Sequence, residues 1–158
     1  MIKNMNIDEV REFIRNTSEN TCIYIGADSE RYCGKDDLWY ADYTLAVVIH
    51  YEGSRGCKVF GRMETERDFD QRMDRPAYRL MNEVYKVSQL YMDLAEAIGD
   101  RHAEVHLDIN PDIIHGSSCV VQQAIGYVRG VCNVTPRVKP DAFAASYAAD
   151  RLKEILSA

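Results

Sequence analysis

The sequence predicts an α/β domain in which antiparallel strands lead into α/β crossovers. Three observations carry this reading. The stretch from Thr21 to Met63 holds three runs rich in β-branched and aromatic residues, joined by short polar connections. A long run with helical periodicity follows, from Met73 to Ile98. Strand-like and helix-like segments then alternate to the end. Three adjacent antiparallel strands followed by crossovers give a mixed sheet with helices on its faces.

Taken in order, Asn6-Ile7-Asp8-Glu9 reads as a capping box. It predicts a short helix through Arg15, with Ile7, Val10, Phe13 and Ile14 inward, within an N-terminal extension of residues 1–18. A first strand is expected from Thr21 to Asp28, a loop from Arg31 to Asp37, and a second strand from Tyr40 to Tyr51. Glu52-Gly53-Ser54-Arg55-Gly56 is a turn, and Cys57 to Met63 a third strand. Met73, Ala77, Leu80, Val84, Val87, Tyr91, Leu94 and Ile98 alternate four and three apart, which makes a long amphipathic helix ending near Gly99. A fourth strand over Ala103–Ile109, a helix over Ser117–Val128 and a fifth strand over Val131–Val138 follow. Pro140 suits the first turn of a last helix, and Ala142–Leu156 is strongly helix-forming.

With 158 residues the chain is long enough for one domain with a real core and short for two, so residues 1–158 are read as a single domain. The hydrophobic share of 46% excludes a disordered chain. No apolar run reaches the length of a membrane span, and the polar N-terminus is not a secretory signal. Five cysteines without a CxxC pair fit reduced thiols in a cytoplasmic setting, with Cys22 and Cys132 as core residues. The net charge of −6 counts against broad electrostatic binding of nucleic acid. It does not count against a carboxylate site whose own charge is offset by divalent cations. Arg129, Arg137, Lys139, Arg151 and Lys153 make the C-terminal stretch the best local candidate for a phosphate backbone. The segment from Arg62 to Arg79 interleaves both signs and reads as a solvated face.

Two strands end in an aspartate: Tyr24-Ile25-Gly26-Ala27-Asp28-Ser29 and Val105-His106-Leu107-Asp108-Ile109-Asn110-Pro111. An Asp there often caps a turn. Delivered to one sheet edge, the pair would instead ligate a hard cation such as Mg2+. Together with Leu80-Met81-Asn82-Glu83-Val84-Tyr85, Gly126-Tyr127-Val128-Arg129-Gly130, and Lys139-Pro140-Asp141-Ala142-Phe143-Ala144-Ala145-Ser146 with Ala149-Asp150, these segments resemble the YkuK-type, ribonuclease H-like proteins of bacteria and phages. The resemblance spans roughly Thr21 to Arg151. It implies a mixed five-stranded sheet of order 3-2-1-4-5 with helices on both faces.

It also implies four carboxylates, Asp28, Glu83, Asp108 and Asp141, holding two Mg2+ or Mn2+ ions for hydrolysis of nucleic acid. In that scheme Asp28 bridges the ions, Asp108 and Glu83 complete their shells, and Asp141 helps hold the ion that activates water. Asp141 is preferred to Asp150 because it resembles the fourth carboxylate of the Holliday-junction resolvase branch. A resolvase-like role would want a homodimer, so that two sites meet two strands. Lys139 is expected to face a phosphate, and Ser29 and Asn110 to orient the aspartates or substrate. From the apolar stripe alone, Glu83 would be a surface residue paired with Arg79.

Two rival readings remain. Asp28-Ser29-Glu30 matches the Asp-x-Glu opening of proofreading-type exonucleases, although Tyr147-Ala148-Ala149-Asp150 is one residue short of their closing pattern. A ribonuclease H-like fold also serves as a binding or scaffold module without catalysis.

Overall fold

A computed structural model describes residues 4–51, 56–70, 76–109 and 120–145. Helix α1 (Ile7–Arg15) opens the chain. The Asn6 side chain accepts hydrogen bonds from the Asp8 and Glu9 amides at 2.9 and 3.3 Å, which satisfies donors left free at the helix start. Val10 and Ile14, one turn apart, are wholly buried.

Four strands follow: β1 (Cys22–Cys33), β2 (Trp39–His50), β3 (Cys57–Arg67) and β4 (His102–Leu107). Their order is β3-β2-β1-β4. The pairs β1/β2 and β2/β3 are antiparallel, and β1/β4 is parallel. The parallel crossover contains α2 (Ala77–Ile98), and α3 (Val121–Cys132) follows β4. Alternation along the strands sends Ile23, Ile25, Leu45, Val47, Val105 and Leu107 to one face. There they meet Leu80, Val84, Val87, Leu90 and Leu94 of α2, together with buried residues of α1 and α3, in one core. On the other face Ala46 and Val48 pack with Ala144.

Gly26 permits that second contact. A Cβ at this position would lie 2.6 Å from the Ala145 nitrogen and 2.8 Å from the Ala144 carbonyl carbon. The Ala144 amide also donates to Nδ1 of buried His106 at 3.1 Å, so the 142–145 segment is pinned over the middle of β1 and β4.

Three expectations need correction. The sheet has four strands among the described residues, not five in the order 3-2-1-4-5. Helix α3 runs on to Cys132, because Val121, Ala124, Val128 and Cys132 continue a buried stripe at helical spacing. Asn133, in the left-handed region at φ 57°, then ends it. Only Arg137 bridges β4, opposite His106, with the Leu107 amide donating to its carbonyl at 2.8 Å and its own amide to Val105 O at 2.9 Å. Second, β1 continues through the expected loop to Cys33, and β3 runs on to Arg67. Third, Cys22 is only half-buried, whereas Cys132 is buried, in a helix rather than a strand. The expected last helix lies mostly outside the described residues. No described helix is long and apolar enough to cross a membrane.

Candidate metal centre

The parallel register of β1 and β4 ends at Ala27 opposite Leu107. The next residue on each chain segment is an aspartate, so Asp28, still paired with Thr44 of β2, and Asp108, just past the end of β4, stand side by side where the two strands part. Helix α2 crosses β1 and contributes Glu83 from between Leu80 and Val87 on its inner face. Ligand oxygens of Asp28, Glu83 and Asp108 all lie within 4.8 Å of one another. Glu83 is only 4% exposed, which removes the surface pairing with Arg79 as its role.

The electrostatics follow from this crowding. Burial pushes the Glu83 carboxyl well above the usual carboxylate range, and the charges of Asp28 and Asp108 push it further. The Arg79 charge and a hydrogen bond from the Ser29 hydroxyl oppose the rise. Ser29 is held in turn by Arg79, whose Nη1 donates to both the carbonyl and the hydroxyl oxygen of Ser29 at 2.8 Å. Lys139 Nζ lies 2.8 Å from Asp108 Oδ1. Its segment is anchored by the Arg137 bridge and by an ion pair between Arg137 and Glu104. Burial alone would raise Glu104, but hydrogen bonds from His102 and His106 and the Arg137 charge outweigh it and leave its carboxyl lowered.

Of the sequence-predicted set, the structure brings together Asp28, Glu83 and Asp108, with Lys139 and Ser29 in contact with them. Asp141 is not part of the cluster; it is exposed, and its amide donates to Val138 O at 2.9 Å. Asn110, Asp112 and Asp150 lie outside the described residues. Glu30, two residues past Asp28 on β1, is exposed and is not among the three clustered carboxylates. The segment from Arg62 to Arg79 is not simply a solvated face. Asp68 is buried against Arg31 at 2.9 Å, and Asp70 accepts from the amides of Tyr78 and Arg79 at the start of α2. Sequence reasoning missed Arg79 as the residue that fixes Ser29; its spacing one turn before Glu83 was the available signal.

The donor set fits a hard divalent cation. All three donors are carboxylate oxygens, the type that Mg2+ and Mn2+ prefer. Such an ion would offset both the burial of the Glu83 carboxylate and the repulsion from Asp28 and Asp108 that disfavour its charge. Among families of known proteins, the model described as Ribonuclease H-like matches residues 5–154. No curated protein and no solved structure matches the chain.

Proposed function

This chain belongs to the ribonuclease H-like family, and from that premise we propose that it is a metal-dependent phosphodiesterase acting on nucleic acid. The observation that carries the proposal is the convergence of Asp28, Glu83 and Asp108 to within 4.8 Å, with Glu83 buried. Three carboxylates crowded into that space repel one another, and a cation among them would relieve that repulsion. Two Mg2+ or Mn2+ ions would supply Lewis-acid activation of water and neutralise charge on the leaving oxygen.

The protein's own groups have separate tasks. Asp28 and Asp108 would hold the ions where β1 and β4 part, and Glu83 would close the site from α2. Ser29, fixed by Arg79, keeps the Glu83 carboxylate turned toward the aspartates. Lys139 holds Asp108 until substrate arrives and then turns to a phosphate oxygen. Asp141, on the turn after Lys139, and Asn110, two residues past Asp108, are assigned as substrate-side groups, with Asp141 the fourth carboxylate of the resolvase-like branch. In that branch a homodimer is the working form.

Asp28→Asn should abolish metal-dependent cleavage of single-stranded, hybrid and junction substrates while leaving the far-ultraviolet circular dichroism unchanged. Retained cleavage would sink the assignment. In crystals soaked with Mn2+, two anomalous peaks about 4 Å apart at Asp28 and Asp108 are expected.

A second reading is favoured by Lys139, which already supplies a positive charge to Asp108 at 2.8 Å. On that reading the site is a metal-independent ion-pair network in a binding or scaffold protein. Calorimetry with Mn2+ separates the two: a scaffold takes up no ion at the cluster.

A further inference from the structure

Beyond the carboxylates the sheet continues as an arm. β1 loses β4 at Ala27 but stays paired with β2 out to Cys33 opposite Trp39, and β3 follows to Arg67 opposite Tyr40. At the arm's end lies a recess of about 360 Å3, lined in part by Arg31, Leu38, Trp39, Arg67 and Phe69. Three rings at or beside it stay in solvent: Trp39 is 37% exposed, Phe69 56% and neighbouring Tyr78 41%.

The base of the recess is fixed and neutralised internally. The Asp68 side chain is fully buried and takes the Arg31 guanidinium at 2.9 Å. Arg31 also donates to Asp70 O at 3.0 Å and lies over the Trp39 ring at 4.4 Å. The Asp70 carboxylate is used by the Tyr78 and Arg79 amides at 2.7 and 3.0 Å. A ligand therefore meets aromatic faces, Arg67 and, at the rim, the exposed Asp37 carboxylate. The Arg67 guanidinium lies 5.1 Å from the Phe69 ring and 5.8 Å from Tyr40, and it makes no ion pair with a described residue.

The same bonds reach the carboxylate site. Arg31 holds Asp70, Asp70 holds the first turn of α2, and Arg79 from that turn holds Ser29 beside Asp28. Along β1, Arg31 stands three residues past Asp28, about 10 Å at the rise of a strand. A nucleic-acid strand lying across the carboxylates runs onto this arm in one direction.

We propose that the arm binds unpaired nucleobases, stacked on Trp39 and Phe69 beside Arg67, so that the substrate is a single-stranded segment of DNA or RNA. The inference rests on the phosphodiesterase reading for the direction of the strand. The stacking surface itself stands on its own geometry. Rings that accept stacking and an arginine beside them suit a single strand, because a base inside a duplex has no free face.

Trp39 is the chain's one tryptophan, so its fluorescence reports this recess alone. The test titrates Asp28→Asn protein, in EDTA, with oligo-dU, with oligo-U and with a duplex of equal length. Quenching by either single strand and none by the duplex is expected; the stronger of the two single strands identifies the sugar. Phe69→Ala should weaken the single-strand titration about ten-fold. Phe69→Leu, which keeps apolar bulk but lacks the ring, should weaken it nearly as much. Equal quenching by duplex, or an unchanged Phe69→Leu, overturns the proposal. Absent quenching by every oligonucleotide in protein with an intact melting transition also overturns it, and leaves a protein partner for the arm. If cleavage by wild-type protein persists in that case, the phosphodiesterase reading survives without the arm. If quenching holds and no cleavage is found, the arm survives without the phosphodiesterase.

Discussion

Glu83 concentrates the energetic conflict of the molecule in one side chain. Its folded pKa lies well above the ordinary 4.5, because burial and two neighbouring aspartates disfavour its charge. The folded state then binds a proton more tightly than the unfolded state. This contribution to stability is complete below the unfolded pKa and is lost as pH rises through the folded one. In EDTA, the melting temperature of wild-type protein should fall relative to that of Glu83→Gln as pH is raised above 4.5. The variant should be the more stable by on the order of 1–2 kcal/mol at alkaline pH. Parallel melting curves across that range would show that Glu83 is not strained. The sequence disclosed this residue only through the family resemblance. The periodicity that places Leu80, Val84 and Val87 inward leaves Glu83 on the border of the stripe, and a border Glu one turn after an Arg looks like a solvated pair. Asp28 and Asp108 were more legible, because an apolar run that ends in an acid marks where a strand leaves the core, although only Asp108 lies past the end of its strand. Asp141 was legible only through the resemblance: its motif matches, and its side chain is exposed beside the group of three rather than within it.

At the scale of elements, Gly26 governs how the C-terminal segment lies on the sheet. Gly26→Ala would drive a methyl into the Ala144–Ala145 backbone, with approaches of 2.6 to 2.8 Å. The expected cost is about 1–3 kcal/mol, read as a lower urea midpoint, with faster hydrogen exchange at the Ala144 amide that now bonds His106. An unchanged midpoint would mean that the segment does not rest there. The long helix was legible because its stripe repeats over six turns and no competing period fits. The fifth strand was misread for a definite reason. Val131, Val134 and Val138 are β-branched and suggest a strand, but Ala124, Val128 and Cys132 extend the helical stripe, and burial against α2 decided in favour of the stripe. The extension of β1 was hidden because Glu30-Arg31-Tyr32-Cys33 lies past the core, where alternation between an apolar and a polar face no longer applies.

For the whole molecule, the charge of −6 sets what a nucleic-acid ligand can use. Binding through stacking and a few cations should depend weakly on salt. A log–log slope no steeper than about −1.4 is expected for a single strand, the equivalent of roughly two phosphates. A slope several times larger would indicate binding along a basic groove instead. Cation binding should also stabilise the fold as a whole: Mn2+ at a hundred times its dissociation constant adds about 2.7 kcal/mol. The melting temperature of the wild type should rise with Mn2+ and return with EDTA, and that of Asp28→Asn should respond far less. One further consequence follows from the margins of the sheet. Along β3, the Met5 amide donates to Gly61 O at 2.9 Å and the Asn4 side chain accepts from the Met63 amide at 3.1 Å; along β4, Arg137 occupies the corresponding position. Each outermost strand thus has part of its hydrogen-bonding capacity consumed by an irregular stretch too short to serve as a template. Such fittings keep neighbouring copies from zipping together into fibrillar aggregates. A chain trimmed of residues 1–5 should keep its carboxylate chemistry yet lose solubility on storage, with turbidity that grows as the exposed strand recruits others.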